Sequence, residues 1–107
     1  MGDWKDIKVT GINKIDKVVA EYYVWAIDKV PYGKFKIKIL ETAKGGYIGL
    51  PNLAVKSLED GTADNTSGFG NSIEEALEDT INFFLKTLEG RTDLAEEDFE
   101  WSDPHDF

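Results

Sequence analysis

Residues 72–90 read SIEEALEDTINFFLKTLEG, and this stretch predicts the only strong helix of the chain. Ser72 and Glu75 form a capping box, in which the serine hydroxyl accepts from a backbone N–H of the first turn and the carboxylate reaches back. Apolar positions then recur at spacings of three and four until Gly90, which predicts a helix from Ser72 to Glu89 with one face in the core. The predicted core-facing positions are Ile73, Ala76, Leu77, Thr80, Ile81, Phe84, Leu85 and Leu88.

The half of the chain before this helix is typical of strands. In residues 34–40, KFKIKIL, apolar side chains alternate with lysines, as in a half-buried strand with a basic outer face. Residues 21–27, EYYVWAI, are rich in aromatic and β-branched residues, and a Pro-Tyr-Gly turn at 31–33 joins the two runs. A second turn at 44–46 precedes another extended run at 47–50. We therefore expect an α+β fold, in which an antiparallel sheet of three to five strands carries one main amphipathic helix on a face.

Aromatic residues cluster on the first of these strands. Tyr23 and Trp25 share one face and Tyr22 lies on the other, because successive side chains of a strand point to opposite sides. The set that does not meet the helix is expected to form an exposed aromatic patch, a common anchor at protein interfaces. The alternative is that the N-terminal segment, with Trp4, covers this set. Residues 6–19 of that segment fit either a strand or a helical face, and we favour a strand.

Two further stretches carry loop or tail signals. Residues 60–70 are rich in glycine, aspartate and threonine, which predicts a mobile loop. Residues 91–107 are acidic and contain two apolar anchors, Phe99 and Trp101. This last segment is expected to form either a short final strand or a tail.

The chain has 107 residues, no cysteine and a net charge of −9, which fits a single domain over residues 1–107. The charge is uneven, because residues 1–56 hold ten lysines and six acids whereas residues 57–107 hold two basic residues and fifteen acids. Such asymmetry indicates either a surface suited to a basic partner or an ordinary solvated acidic face. An acidic surface repels phosphate, so we expect no direct binding of nucleic acid. Without an apolar run long enough to span a membrane and with a charged start, the chain is expected to be soluble and cytoplasmic, with no membrane partner.

Residues suited to catalysis are scarce. His105 is the only histidine and lies among acids near the end of the chain, where a solvated role is the ordinary one. Serine-hydrolase, dinucleotide and P-loop patterns are absent, and residues 60–65 lack the ligand spacing of a calcium loop. A carboxylate pair of the glycosidase kind remains open with 21 acids in the chain, but no pair is singled out. We predict no enzyme, no cofactor and no metal site.

The order of elements between residues 32 and 89 resembles the N-terminal domain of the HicB-type antitoxin family. The matching parts are the strand at 35–40, GGY at 45–47, LPNL at 50–53 and the helix start GNSIEEAL at 70–77. The resemblance implies a two-layer sandwich with a curled antiparallel sheet. It also implies a non-catalytic function, since members of the family bind a basic ribonuclease toxin and cover its active site.

Two features depart from the pattern of that family. Many members repress their own operon through a second, DNA-binding domain, but only 17 residues follow Gly90 here and they are acidic. DNA binding is therefore not carried over. About thirty residues also precede the matching core, which family members generally lack.

The functional prediction is a protein-binding module of the antitoxin or immunity kind, which uses its acidic half against a basic protein partner. Complementary charge accelerates encounter, while apolar anchors supply most of the affinity. Two alternatives are an inhibitor that imitates nucleic acid through rows of carboxylates, and a small-molecule-binding domain that uses the mouth between the helix and residues 60–70. A homodimer through a sheet edge or the aromatic face is compatible with each. The expected partner-binding residues are Glu96, Glu97, Asp98 and Glu100 for charge, with Phe99 and Trp101 as anchors.

Overall fold

A computed structural model describes residues 4–57, 61–62, 66–91, 94–102 and 107. It confirms the α+β class, with antiparallel strands and one main helix. In chain order the elements are β1 (Lys17–Trp25), β2 (Lys34–Glu41), β3 (Tyr47–Pro51), β4 (Leu53–Val55), β5 (Gly68–Gly70), α1 (Ile73–Leu88) and β6 (Phe99–Trp101), with one-turn 3₁₀ helices at Trp4–Asp6, Pro31–Gly33 and Glu96–Asp98.

The strands form two antiparallel sheets. Four strands pair in the order β1-β2-β3-β5, so the predicted meander of the first three strands is confirmed. The fourth strand, β5, lies at 68–70, where a loop was predicted, and its pairing with β3 corrects that part of the prediction. Of the rest of the predicted loop, residues 60 and 63–65 lie outside the described residues, and residues 61–62 and 66–67 form neither strand nor helix. A second sheet of two strands joins β4 to β6.

Helix α1 packs on one face of the four-stranded sheet, as its apolar stripe predicts. The helix contributes the buried side chains of Ala76, Thr80 and Phe84, and the ring of Phe84 lies 4.5 Å from that of Phe35 on β2. The alternate residues of β2 complete this core, because Phe35, Ile37 and Ile39 are all buried. One predicted core position is wrong: Leu85 is 39% exposed, since it lies at the border of the stripe.

The helix ends are fixed by the expected caps. The hydroxyl of Ser72 accepts from the backbone N–H of Glu75 at 3.1 Å. The carboxylate of Glu75 reaches back one residue further than in the usual capping box, to the backbone N–H of Asn71 at 2.7 Å. Gly90 follows the helix with φ 74°, a conformation that favours glycine.

Two facing glycines lie where the helix packs on the sheet. Gly49 on β3 pairs with Gly68 on β5, and the buried side chain of Thr80 sits against both. The hydroxyl of Thr80 donates to the backbone oxygen of Ala76 at 2.7 Å, so this polar group is satisfied inside the core. Because neither glycine has a side chain, α1 can approach the sheet closely at these two positions.

The opposite face of the sheet, called here the outer face, carries no helix or strand among the described elements. Tyr23 is 59% and Trp25 is 64% exposed on it, whereas Tyr22 lies on the helix side, opposite Ile37. The expected strand in the N-terminal segment is wrong for residues 7–16, which form neither strand nor helix and stay exposed. The spacing of their apolar residues changes at Gly11, so these residues do not all lie on one face that could pack on a sheet. Strand β1 begins only at Lys17.

No helix within the described ranges is long and apolar enough to cross a membrane.

Candidate functional site

The acidic C-terminal segment is attached to the body of the fold. Its strand β6 pairs with β4, with Phe99 opposite Val55 and Trp101 opposite Leu53. Two backbone hydrogen bonds extend this pairing, from the N–H of Lys56 to the oxygen of Asp98 and from the N–H of Ser102 to the oxygen of Asn52, each 2.8 Å. Of the two forms expected from the sequence, the described part of this segment therefore adopts the strand.

Asn52 connects this small sheet to the large one. Its backbone N–H donates to the oxygen of Lys36, and its side-chain oxygen accepts from the N–H of Lys36, both at 2.9 Å. Its own backbone oxygen accepts from Ser102. One residue thus joins β2 to the end of β6, which fixes the position of the acidic segment relative to the core.

The structure separates the six predicted partner-binding residues by role. Phe99 is only 7% exposed and belongs to the hydrophobic core, so its side chain is not available as an anchor. Asp98 uses its carboxylate locally, accepting from the backbone N–H of Ala95 at 2.8 Å across the 3₁₀ turn. The residues that remain on the surface are Glu96, Glu97, Glu100 and Trp101.

Tyr32, which the sequence indicated only as part of a turn, lies beside two of these residues, Glu96 and Trp101. Its hydroxyl donates to Oε1 of Glu96 at 3.0 Å, and its ring lies 6.3 Å from that of Trp101 at a tilt of 38°. The side chain is otherwise 79% exposed. A large exposed aromatic next to a second aromatic and several carboxylates is the composition of an interface anchor.

The backbone of Tyr32 is strained. Its φ of 62° lies in the left-handed region, which residues with a bulky side chain seldom adopt. Gly33 follows with φ 79°, and hydrogen bonds from its N–H to Val30 and from Ala26 to its oxygen close the turn. Strain of this kind persists where the surrounding structure imposes it, and it is concentrated at functional sites.

The charge of Glu96 acts on the phenol of Tyr32. The pKa of Tyr32 is raised from its ordinary value, first because its hydroxyl donates a hydrogen bond to Glu96 and second because the negative carboxylate opposes a phenolate. A slight loss of solvation acts in the same direction. The neutral phenol, which can donate to the carboxylate, is therefore the form that this arrangement favours.

A cleft of about 480 Å³ opens next to this pair. One wall is the β1–β2 connection at 27–32, and the other is formed by the C-terminal end of α1 and the segment at 94–96. Its apolar lining includes Val30, Leu88 and Leu94, while charged residues of both signs stand around it. We call the cleft together with Tyr32, Glu96, Glu97, Glu100 and Trp101 the acidic surface.

The mouth between the helix and residues 68–70 is less suited to binding than the cleft beside Tyr32. It is a shallow hollow at the first turns of α1, lined by Glu75, Glu78 and Asp79. Two of these carboxylates already accept backbone hydrogen bonds, Glu75 from Asn71 and Asp79 from Phe69 at 2.9 Å. These acids thus cap the helix and the edge of β5. Within the described ranges, no group of three or more acidic or histidine side chains is arranged to hold a metal ion.

Comparison with protein families, with curated proteins and with solved structures returns no match for this chain. The resemblance to HicB-type antitoxins stays a prediction that depends on the residues quoted for it.

Proposed function

We propose that this protein is a non-catalytic binding module that recognises a basic protein partner through the acidic surface. The observation that supports the proposal most directly is the pairing of β6 with β4, which holds Glu100 and Trp101 on an ordered strand, with the ring of Trp101 beside that of Tyr32. Ordered side chains lose less conformational entropy when they bind than side chains on a free tail.

The chemistry of the acidic surface fits such a partner. Exposed aromatic rings supply desolvated contact area, and carboxylates around them attract and orient lysine or arginine side chains. The cleft beside Tyr32 is large enough to accept side chains from a protruding segment of the partner. The resemblance to HicB-type antitoxins suggests a ribonuclease toxin as one such basic partner.

The distribution of acids does not favour the nucleic-acid mimic. A mimic needs carboxylates at regular separations on one surface, whereas the described acids of the second half lie mainly in two groups. One group lies in the first turns of α1, at 74–79, and the other at 96–100, near the end of the helix. The second group lies beside the ring pair of Tyr32 and Trp101, whereas the first lines the shallow hollow with Phe69.

The proposal includes a cytoplasmic location. A homodimer through the outer edge of β1 is compatible with it, because β1 ends the large sheet on that side. Light scattering measures the mass that distinguishes a dimer from a monomer.

Capture experiments with matched variants test the proposal. The tagged protein is compared with Glu97→Gln/Glu100→Gln/Trp101→Ala, which removes the exposed charges and the anchor, and with Glu74→Gln/Glu78→Gln, which removes two charges from the helix. From an extract of the native host we expect a basic protein that the wild type and the helix variant retain and the first variant loses. If all three retain the same proteins, or if the protein that is lost is acidic, the proposal is wrong.

A further inference from the structure

The outer face carries a second surface of the opposite charge. Lys34, Lys36 and Lys38 point to it from β2, because they alternate with the buried residues of that strand. Across the ladder, Trp25 lies opposite Lys34 and Tyr23 lies opposite Lys36. We call these four residues together with Lys38 the lysine–aromatic face.

The side chains of this face are already arranged as cation–π pairs. The ammonium group of Lys34 lies 4.6 Å from the ring centre of Tyr23 and 4.8 Å from that of Trp25. That of Lys36 lies 5.4 Å from Tyr23. These contacts hold the lysine chains along exposed rings and keep their positive ends at defined positions.

Among the residues that the structure describes, no salt bridge involves the positive charges of this face. The described salt bridges join Lys5 to Glu41 and Lys14 to Asp16, and none involves the lysines of β2. The one acid directly opposite them is Glu21, which pairs with Lys38 across the ladder. Within the described ranges, Lys34 and Lys36 therefore have neither a salt bridge nor an acid directly opposite them.

The last residue of the chain shows which groups this face accepts. The ring of Phe107 lies 4.4 Å from the ammonium group of Lys38, and its main-chain oxygen accepts from the same group at 3.0 Å. One lysine of the row thus binds an aromatic ring and an oxygen acceptor at the same time.

We propose that the lysine–aromatic face binds an acidic protein segment that carries aromatic side chains. Carboxylates of the segment would pair with Lys34 and Lys36, and its rings would lie against the ammonium groups of these lysines, repeating what Phe107 does at Lys38. Single-stranded nucleic acid fits less well, because ammonium groups lie over the rings on which bases would stack. The acidic surface is formed by other elements, so on this proposal the molecule has two binding surfaces of opposite charge.

A peptide titration followed by NMR tests this assignment. The probe is acetyl-Asp-Glu-Phe-Asp-Glu-Phe-amide, added to the ¹⁵N-labelled full chain. We expect chemical-shift changes at residues 23–25 and 34–36. The variant Lys34→Glu/Lys36→Glu should weaken binding by about tenfold or more, because two attractive contacts become repulsive. The control Lys8→Glu/Lys44→Glu makes the same change of charge at exposed positions outside this face and should retain affinity within about twofold.

The assignment is wrong if the two double variants weaken peptide binding equally, or if the chemical-shift changes lie outside the lysine–aromatic face. It is also wrong if the protein does not bind the peptide at millimolar concentration, or if it binds an oligothymidine strand more tightly than the peptide. If Lys34→Glu/Lys36→Glu does not fold, Tyr23→Ser/Trp25→Ser replaces it. Loss of the rings should weaken binding of the peptide by about fivefold, because the cation–π contacts that hold Lys34 and Lys36 in place are each worth roughly 0.5–1 kcal/mol at exposed sites. Unchanged affinity in that variant would contradict the proposal equally.

Discussion

At the scale of single residues, Tyr32 contributes most to the acidic surface and is the residue that the sequence indicated least. The signal Pro-Tyr-Gly predicted a turn correctly. A turn signal does not reveal that the central residue takes a positive φ, nor that its hydroxyl reaches Glu96, which lies 64 positions later in the chain. A contact of that range depends on tertiary structure, so no local pattern predicts it.

The hydrogen bond between Tyr32 and Glu96 makes the ionisation of this tyrosine a direct reporter of the acidic surface. Because the raised pKa belongs to the folded state, the contribution of the pair to stability is full below the ordinary pKa of tyrosine and is lost as the pH rises through the raised value. We expect Glu96→Gln to lower the pKa of Tyr32, whereas Glu97→Gln should leave it raised. An NMR titration of the Tyr32 ring carbons measures both. Equal pKa values in wild type and Glu96→Gln would show that the bond does not form in solution.

The paired glycines under Thr80 give a second prediction at this scale. A methyl group at Gly49 would collide with the Thr80 side chain, which is fully buried. Gly49→Ala should therefore lower the free energy of unfolding by about 1–3 kcal/mol, as overpacking does in other cores. Gly46→Ala is the control, because its nearest atoms would lie at 3.8 and 3.9 Å, which is ordinary contact. Denaturant unfolding curves that move equally for both variants would disprove the close approach of α1 to the sheet.

At the scale of elements, the helix start is where sequence and structure agree most closely. The bond from Glu75 N–H to the Ser72 hydroxyl predicts that Ser72→Ala lowers the unfolding free energy by about 1 kcal/mol. The control Asn71→Ala should have a smaller effect, since the bond from Asn71 to Glu75 uses the backbone N–H, which alanine retains. Thermal unfolding of the two variants measures the difference. A larger loss from Asn71→Ala would contradict this assignment of the cap.

The strands show where prediction from sequence stops. The longer elements were predicted from local properties: β2 from alternation, α1 from helical spacing, and β1 and β3 from composition and turn signals. The predicted run at 21–27 differs from β1, which spans Lys17–Trp25. The three-residue strands β4, β5 and β6 are too short to have a period. These residues form strands only because a neighbouring strand supplies hydrogen bonds, as β4 and β6 do for each other.

The same limit applies to the candidate site. The acidic composition at 96–100 and the exposed Trp101 were identified from the sequence. The sequence could not assign Phe99 to the core, because both aromatic residues stand among acids in the same local pattern. Both residues share one face of β6, opposite the buried Val55 and Leu53, and their exposure differs with position along the strand: Phe99 is 7% exposed, whereas Trp101 at the strand end is 37% exposed.

At the scale of the whole molecule, the fold is elongated. The radius of gyration of its Cα atoms is 15.7 Å, compared with about 13 Å for a compact chain of this length. Residues 7–16 are exposed throughout, and strand β1 lies at the edge of the large sheet, so both extend from the core around α1.

The exposure of the N-terminal segment predicts that it is dispensable for folding. Deleting residues 1–15 removes no buried side chain among the described residues and two ion pairs, Lys5 with Glu41 and Lys14 with Asp16. Ion pairs near the surface each contribute about 0–1 kcal/mol, so the free energy of unfolding should change by less than about 2 kcal/mol. Urea unfolding of the shortened and full chains measures this change. A loss of several kcal/mol would show that the segment packs on the fold in solution.

The central claim is that the acidic surface recognises positive charge on a protein, and an NMR titration tests it most directly. The probe is acetyl-Lys-Leu-Arg-Lys-Leu-Arg-amide, added to the ¹⁵N-labelled protein at low and at high salt. We predict chemical-shift changes confined to residues 27–32 and 94–101, which weaken as salt screens the charges. Equal changes at the acids of the first helical turns, 74–79, would show that the peptide follows negative charge wherever it lies, and the acidic surface would then have no special role.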